Sequence, residues 1–327
     1  MRDRLTLLLF LSALVVFPAC SKDGDSPDAG ASLKGQLIYP VTNELAVYSF
    51  DDKTERKVFV DGYGYNVSAD GTEFLWYDYS PFDGKSIIQT HQFADIEMYT
   101  SITVPYAVEE APQFVPASEM IGVLVQSPNA PFIRNDFHLF DRSGNRIALV
   151  RHVKDFAFTP DGQGLVITAE ALNSAGDVTG YALVKIDDFA VEDSFTPTVI
   201  RSFPDYSLLP YDLAVSPDGS QVVYTYNAHL YTIPLTDGAE HKQITNSRFG
   251  EVNAGWSPDG KYIVFGMSAS AGTTDCGDIR IVPSNPPAPI TLEPSSDEPV
   301  DPLQPARKDG PVKTLHCCVA RTILWLP

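Results

Sequence analysis

Four segments of this chain repeat one pattern, and that repetition restricts the fold more than any other feature. They are Val67-Ser-Ala-Asp-Gly-Thr-Glu-Phe-Leu-Trp76, Phe158-Thr-Pro-Asp-Gly-Gln-Gly-Leu-Val-Ile167, Val215-Ser-Pro-Asp-Gly-Ser-Gln-Val-Val-Tyr224 and Trp256-Ser-Pro-Asp-Gly-Lys-Tyr-Ile-Val-Phe265. Each passes from an apolar residue through Ser or Thr to Asp-Gly, and then into an apolar run. Pro presets φ early in a turn, Asp bonds nearby backbone, and Gly takes a positive φ, so the pattern encodes a tight turn between two strands. A degraded copy, Phe114-Val-Pro-Ala-Ser-Glu-Met-Ile-Gly-Val-Leu-Val125, keeps the strands and lacks Asp-Gly. The copies start 41 to 57 residues apart, which is the length of one four-stranded blade.

The repeats supply five blades. The last of them is expected to order its strands from the centre outward as Val252–Trp256, Tyr262–Met267, Asp278–Pro283 and Ile290–Leu292. Residues 35–60 hold three further strands with no inner strand ahead of them. The final Thr322-Ile-Leu-Trp-Leu-Pro327 reads as that missing strand, with Trp325-Leu-Pro327 matching Trp256-Ser-Pro258. The expected fold is therefore an all-β, six-bladed β-propeller of four-stranded antiparallel blades. A C-terminal inner strand joins three N-terminal strands and leaves the ring no open edge.

The repeated motif resembles the TolB-type propeller repeat, whose relatives also occur in the propeller domains of prolyl-oligopeptidase-like enzymes. The resemblance covers roughly residues 33–327. It implies a stand-alone TolB-like propeller, because only about a dozen residues separate Cys20 from the first strand. The α/β domain that TolB carries ahead of its propeller is not expected. Propellers host many activities, so the resemblance speaks to fold before function.

The N-terminus reads as a targeting segment. Two arginines precede an apolar run from Leu5 to Phe17, which is the layout of a secretory signal. Phe17-Pro18-Ala19-Cys20 resembles the lipobox of bacterial lipoproteins, which implies lipidation of Cys20. Residues 1–19 are then the signal, and residues 20–32 are the lipidated cysteine with a polar, Gly-, Asp- and Ser-rich tether. Ser21 after the cysteine resembles signals for outer-membrane retention. An exported protein of the cell envelope is expected, touching the membrane through its lipid alone.

A net charge of −19 argues against nucleic acid, which needs a basic face. No Gly-x-Ser-x-Gly elbow and no phosphate-cradling Gly-rich loop is present. The six histidines fall singly, without metal-ligand spacing, and no cofactor is expected. Some six-bladed propellers are calcium-dependent lactonases with acidic residues at the central channel. Asp155 and Asp212 sit at inner-strand starts and are the weak metal candidates.

Outside the cytoplasm a disulfide is the default for the remaining cysteines. Cys276 lies in a loop on the same face as the connection holding Cys317 and Cys318, so it is expected to bond one of the two. A bond within the adjacent pair is the competing arrangement.

That face, where the outer-to-inner and second-to-third strand connections emerge, carries the longer and more aromatic loops. Tyr63, Tyr65, Tyr79, Phe82 and Arg134 are candidate partner-binding residues there, followed by Tyr206, Tyr211, Arg248 and Phe249. The expected function is non-enzymatic binding or scaffolding of an envelope protein, peptide or glycan. The alternative is a calcium-dependent hydrolase or lactonase with its site in the channel.

Overall fold

The Asp-Gly turns form as their chemistry dictates. In all four the Ser or Thr hydroxyl donates to the Asp carboxylate at 2.6–2.7 Å. It also accepts the N–H five residues on, at 2.7–3.1 Å. The same carboxylate accepts the N–H two residues after it, at 3.0–3.1 Å. These bonds, the hydroxyl's first, hold the Asp70, Asp161 and Asp218 carboxyls below the usual carboxylate range. The degraded copy keeps the backbone frame without the Asp-Gly pair: Ser118 N–H reaches Val115 C=O at 3.2 Å, as Gly162 N–H reaches Thr159 C=O at 2.9 Å.

Gly162 has φ 69°, and a Cβ there would lie 2.1 Å from the Pro116 carbonyl oxygen of the neighbouring repeat. Gly219 has φ 70°, and its nearest neighbour would be 3.7 Å away. Gly162→Ala should therefore lose about 1–3 kcal/mol more than Gly219→Ala in urea denaturation, since the left-handed strain is common to both. Equal losses would show that the close approach to Pro116 is irrelevant.

The computed structural model describes residues 33–41, 44–59, 63–80, 84–127, 134–189, 197–268, 276–292 and 323–327, which form strands and turns without helix. Blade 1 contains β1 (Gln36–Val41), β2 (Glu44–Ser49), β3 (Glu55–Phe59) and, innermost, β23 (Leu324–Leu326). Blade 2 is β4 (Tyr63–Val67), β5 (Glu73–Ser80), β6 (Lys85–Gln92) and β7 (Asp95–Val104). Blade 3 is β8 (Gln113–Phe114), β9 (Ile121–Gln126), β10 (Asn135–Phe140) and β11 (Arg146–Val150). Blade 4 is β12 (Val153–Phe158), β13 (Gly164–Leu172), β14 (Val178–Asp187) and β15 (Pro197–Phe203). Blade 5 is β16 (Tyr211–Val215), β17 (Gln221–Tyr226), β18 (His229–Pro234) and β19 (Lys242–Gln243). Blade 6 contains β20 (Glu251–Trp256), β21 (Tyr262–Ser268) and β22 (Cys276–Pro283).

Within each blade neighbouring strands run antiparallel, and β23 pairs with β1 in the register Leu37↔Trp325. The C-terminal strand thus completes the N-terminal blade, as the sequence pattern requires. Six apolar clusters fill the spaces between successive blades. Leu75 and Ile88 meet Ile121 and Val123 between blades 2 and 3, for example, and Val166 and Leu183 meet Val222 and Tyr224 between blades 4 and 5. Leu37, Tyr39 and Trp325 meet Val264 and Ile281 across the junction of blades 6 and 1. Each fully buried Leu, Ile or Phe contributes about 1.5–3 kcal/mol, so the ring is held by the spaces between its blades.

Blade 6 departs from expectation. Ile290–Leu292 is not its fourth strand: Ile290 forms a parallel bridge with Thr245, at the outer side of blade 5. The run Ser284-Asn-Pro-Pro-Ala-Pro289 explains the detour. Proline removes backbone donors, so the chain cannot turn back along β22. Ile290 and Leu292 pack instead into the cluster between blades 5 and 6.

Candidate functional site

The inner strands enclose a central channel of about 520 Å³. At the turn end it is lined by Pro116, Pro160, Pro217, Pro258 and Pro327, four of them from repeat motifs or the degraded copy. Small residues, Ala157, Ala214 and Gly255, keep its middle open, and Asn66 and Gln113 add polar groups there. At the opposite end stand Asp155 and Asp212.

Those two carboxylates are aimed by a recurrent backbone defect. The register between the first two strands slips between Tyr63 and Asn66, Val153 and Asp155, Tyr211 and Ala214, and Val252 and Gly255. A β-bulge there re-aims side chains and frees ladder groups. Gly64, Asp212 and Asn253 occupy equivalent positions with φ 57°, 57° and 58°. Asp212 Oδ2 accepts the Asn253 N–H of blade 6 at 2.8 Å. Asp155 Oδ2 accepts the Leu213 N–H of blade 5 at 3.1 Å, and its Oδ1 accepts the adjacent Phe156 N–H at 2.7 Å.

Other links repeat this blade-to-blade pattern. Asn66 Oδ1 accepts the Phe114 N–H at 3.1 Å, and Gln113 Nε2 donates to the Phe156 carbonyl at 3.1 Å. Burial pushes Asp155 up to about 7, opposed by its backbone N–H donors. Burial and the neighbouring Asp155 push Asp212 up to about 7 as well. Asp155 is almost fully buried, whereas Asp212 keeps some surface toward the channel. Among the described residues no group of three His, Cys, Asp or Glu is placed to hold a metal ion.

The nine partner-binding candidates divide sharply. Tyr206 is 69% exposed and Tyr79 40% exposed, and Arg248 is exposed with its guanidinium 5.9 Å over the Phe249 ring. Phe249 itself is half-buried against the cluster between blades 5 and 6. Tyr65 is buried beside Phe74 and Trp76 between blades 1 and 2, and Tyr211 is half-buried against Val252. Tyr63 opens β4; its side chain and Phe82 lie outside the described residues, as do Cys20, Cys317, Cys318 and the side chain of Cys276.

Arg134 turns inward, donating to the Gly176 carbonyl and standing 3.6 Å from Glu170. Glu170 is a site residue that sequence reasoning missed. Its nearly buried carboxylate also meets Lys154 at 2.9 Å, which ties the blade 3 and blade 4 loops together. Asn253 was missed too, although setting the repeats in register places it with Asp155 and Asp212, three residues ahead of the motif's apolar position.

No family model matches the chain, and no curated protein matches it. Solved structures do match. A protein of Agrobacterium tumefaciens described as TolB is 16% identical and superposes with a TM-score of 0.52, over 76% of this chain and 84% of that one. TolB of Acinetobacter baumannii is 13% identical with a TM-score of 0.47, over 75% of this chain and 64% of that one. A Bacteroides uniformis protein described as a 6-phosphogluconolactonase is 15% identical with a TM-score of 0.49, over 78% and 80%. At these identities the Agrobacterium match speaks to fold alone. The fold is that of a six-bladed β-propeller, closed by its own C-terminal strand.

Proposed function

We propose that this protein is a non-enzymatic cell-envelope lipoprotein, anchored through Cys20 to the outer membrane, whose propeller binds a protein, peptide or glycan partner. Binding is assigned to the face where the loops carrying Tyr206, Tyr79 and Arg248 emerge, all three exposed. One observation carries this reading: the Asp155 and Asp212 carboxylates are occupied by backbone N–H groups of the adjoining blades. Used as struts, they make a poor metal site, and the channel mouth becomes a rigid rim for docking. A disulfide from Cys276, at the start of β22, to Cys317 or Cys318 would brace the same face.

Photo-crosslinking in intact cells tests this. A benzophenone amino acid replacing Tyr206 or Arg248 should yield a covalent adduct with one partner. The same group replacing Ser220, in the Asp-Gly turn on the opposite face, should yield none. Equal adducts from all three positions would remove the assigned face. Stoichiometric calcium in equilibrium dialysis, together with lactone or ester hydrolysis, would replace binding with the enzymatic alternative.

A further inference from the structure

Exposed apolar surface is unevenly shared among the blades. Eight large hydrophobic side chains are exposed among the described residues, and five of them belong to blade 2: Tyr79, Ile87, Ile96, Met98 and Tyr99. An even spread over six blades would give about one each, and concentrated apolar exposure of this kind marks a contact surface. Ile96, Met98 and Tyr99 lie on β7, the outermost strand of the blade, whose far edge has no strand beside it among the described residues.

Strand edges attract other strands, and proteins protect them with charged side chains (Lys above all), proline, bulges or short length. The other described outer strands follow that rule. β3 carries Arg56 and Lys57, β11 carries Arg146, β15 carries Pro197 and Arg201, and β19 is two residues long with Lys242. β7 runs ten residues, Asp-Ile-Glu-Met-Tyr-Thr-Ser-Ile-Thr-Val, without Lys, Arg or Pro. Its pairing with β6 jumps from Gln92↔Asp95 to His91↔Tyr99, so Ile96, Glu97 and Met98 bulge outward. The bulge is held in place: His91 Nδ1 lies 2.7 Å from the Ile96 carbonyl, and the His91 ring stacks on Tyr99 at 4.9 Å and on Trp76 at 4.0 Å. From Tyr99 to Val104 the ladder is regular, which leaves six residues of unprotected edge beside a fixed apolar knuckle.

Charge selects the occupant. Asp95 and Glu97 are exposed at the start of this edge and form no ion pair among the described residues. The whole chain carries −19, so a second copy and an anionic bilayer are both repelled. A cationic partner is attracted. We propose that the outer edge of β7 docks an extended segment of a partner protein, alternating apolar and basic residues, by strand addition. Main-chain hydrogen bonds supply such an interaction and alternate side chains select it. This surface is separate from the channel face, so its failure would leave the binding reading above intact.

The probe is a fluorescein-labelled peptide of alternating valine and lysine, titrated with the full chain and followed by anisotropy. Saturable binding is expected, falling at least tenfold in the Met98→Lys/Tyr99→Lys double variant and falling with added salt. Val199→Lys, an exposed site on the blade 4 edge, should bind as the unaltered chain does. A glutamate-for-lysine peptide should bind poorly to the unaltered chain and better to the double variant. Melting curves establish that each variant is folded.

The proposal fails if the peptide does not saturate, or if the double variant binds it equally. It also fails if a version with proline at alternate positions, which cannot pair, binds as well. A concentration-dependent dimer lost in the double variant would give the edge to a second copy. Flotation with phosphatidylcholine vesicles, lost in the double variant, would give it to a membrane.

Discussion

Replacing Trp325 by alanine is expected to lower the stability of the ring by about 3–5 kcal/mol, the range for truncating a well-packed core aromatic. Trp325 sits in β23, opposite Leu37, so one side chain spans the point where the two ends of the chain meet. Its ring lies 4.9 Å from Phe50 and 6.4 Å from Tyr262, touching blade 1 and blade 6 at once. Its Nε1 donates to the Lys34 carbonyl at 2.8 Å, which truncation would leave without a partner. Domains of this kind are stable by about 5–15 kcal/mol in total, so the variant should approach the threshold of folding. Urea unfolding of Trp325→Ala beside Trp325→Phe measures it, because phenylalanine restores packing and not the hydrogen bond. A loss below about 1 kcal/mol in the alanine variant would mean that β23 does not close the ring.

That closure was legible in the sequence because Trp325-Leu-Pro327 repeats the inner-strand pattern of Trp256-Ser-Pro258, the one strand that residues 35–60 lack. The turns were legible for a local reason: Ser or Thr, Asp and Gly satisfy one another within six residues, as at Ser216–Gln221. What failed to read was set by distant neighbours. Ile290–Leu292 has the composition of a strand, and only the proline run before it and the Thr245 backbone across the blade boundary decide its partner. Tyr65 and Tyr206 look alike in a sequence, yet one fills the space between blades 1 and 2 and the other meets solvent. Arg134 read as an exposed recognition residue because nothing near it in sequence announces Glu170, which lies in the next blade. The channel aspartates fell between these cases: the repeat register sets them near the starts of their inner strands, and the N–H groups they serve belong to the following blade.

Those aspartates produce the second large effect, a stability that falls as pH rises from about 4 toward 7. An aspartate in the unfolded chain titrates near 3.9, while Asp155 and Asp212 in the native ring are pushed up to about 7 by burial. Between those values the native state binds more protons than the unfolded state. The stabilisation is therefore complete below about pH 4 and is lost progressively as pH rises to about 7. The turn aspartates act in the opposite sense, since their depressed values favour folding above pH 4, but they are solvent-exposed and contribute little. Tm should accordingly be highest near pH 4 and lower by several degrees at pH 8.

Asp212→Asn separates charge from shape. Asn253 already occupies the equivalent bulge at the same φ, so an amide fits the backbone. The carboxamide can still accept the Asn253 N–H. It also supplies a hydrogen to the Thr225 hydroxyl, whose single hydrogen is otherwise shared between Asp212 and the Glu251 carbonyl 3.0 Å away. Asp212→Asn should raise Tm at pH 8 and flatten the decline, whereas Asp212→Ala should lower Tm at every pH by leaving a buried N–H without its acceptor, at about 1–3 kcal/mol. Asp155 accepts two N–H groups, and an amide offers only one oxygen for them, so Asp155→Asn should lower Tm even at pH 8. Thermal melts of the three variants from pH 4 to pH 9 decide the matter. A Tm that climbs steadily to pH 8 in the unaltered chain, or an Asp212→Asn profile parallel to it, would show that these carboxyls are already ionised in the native ring.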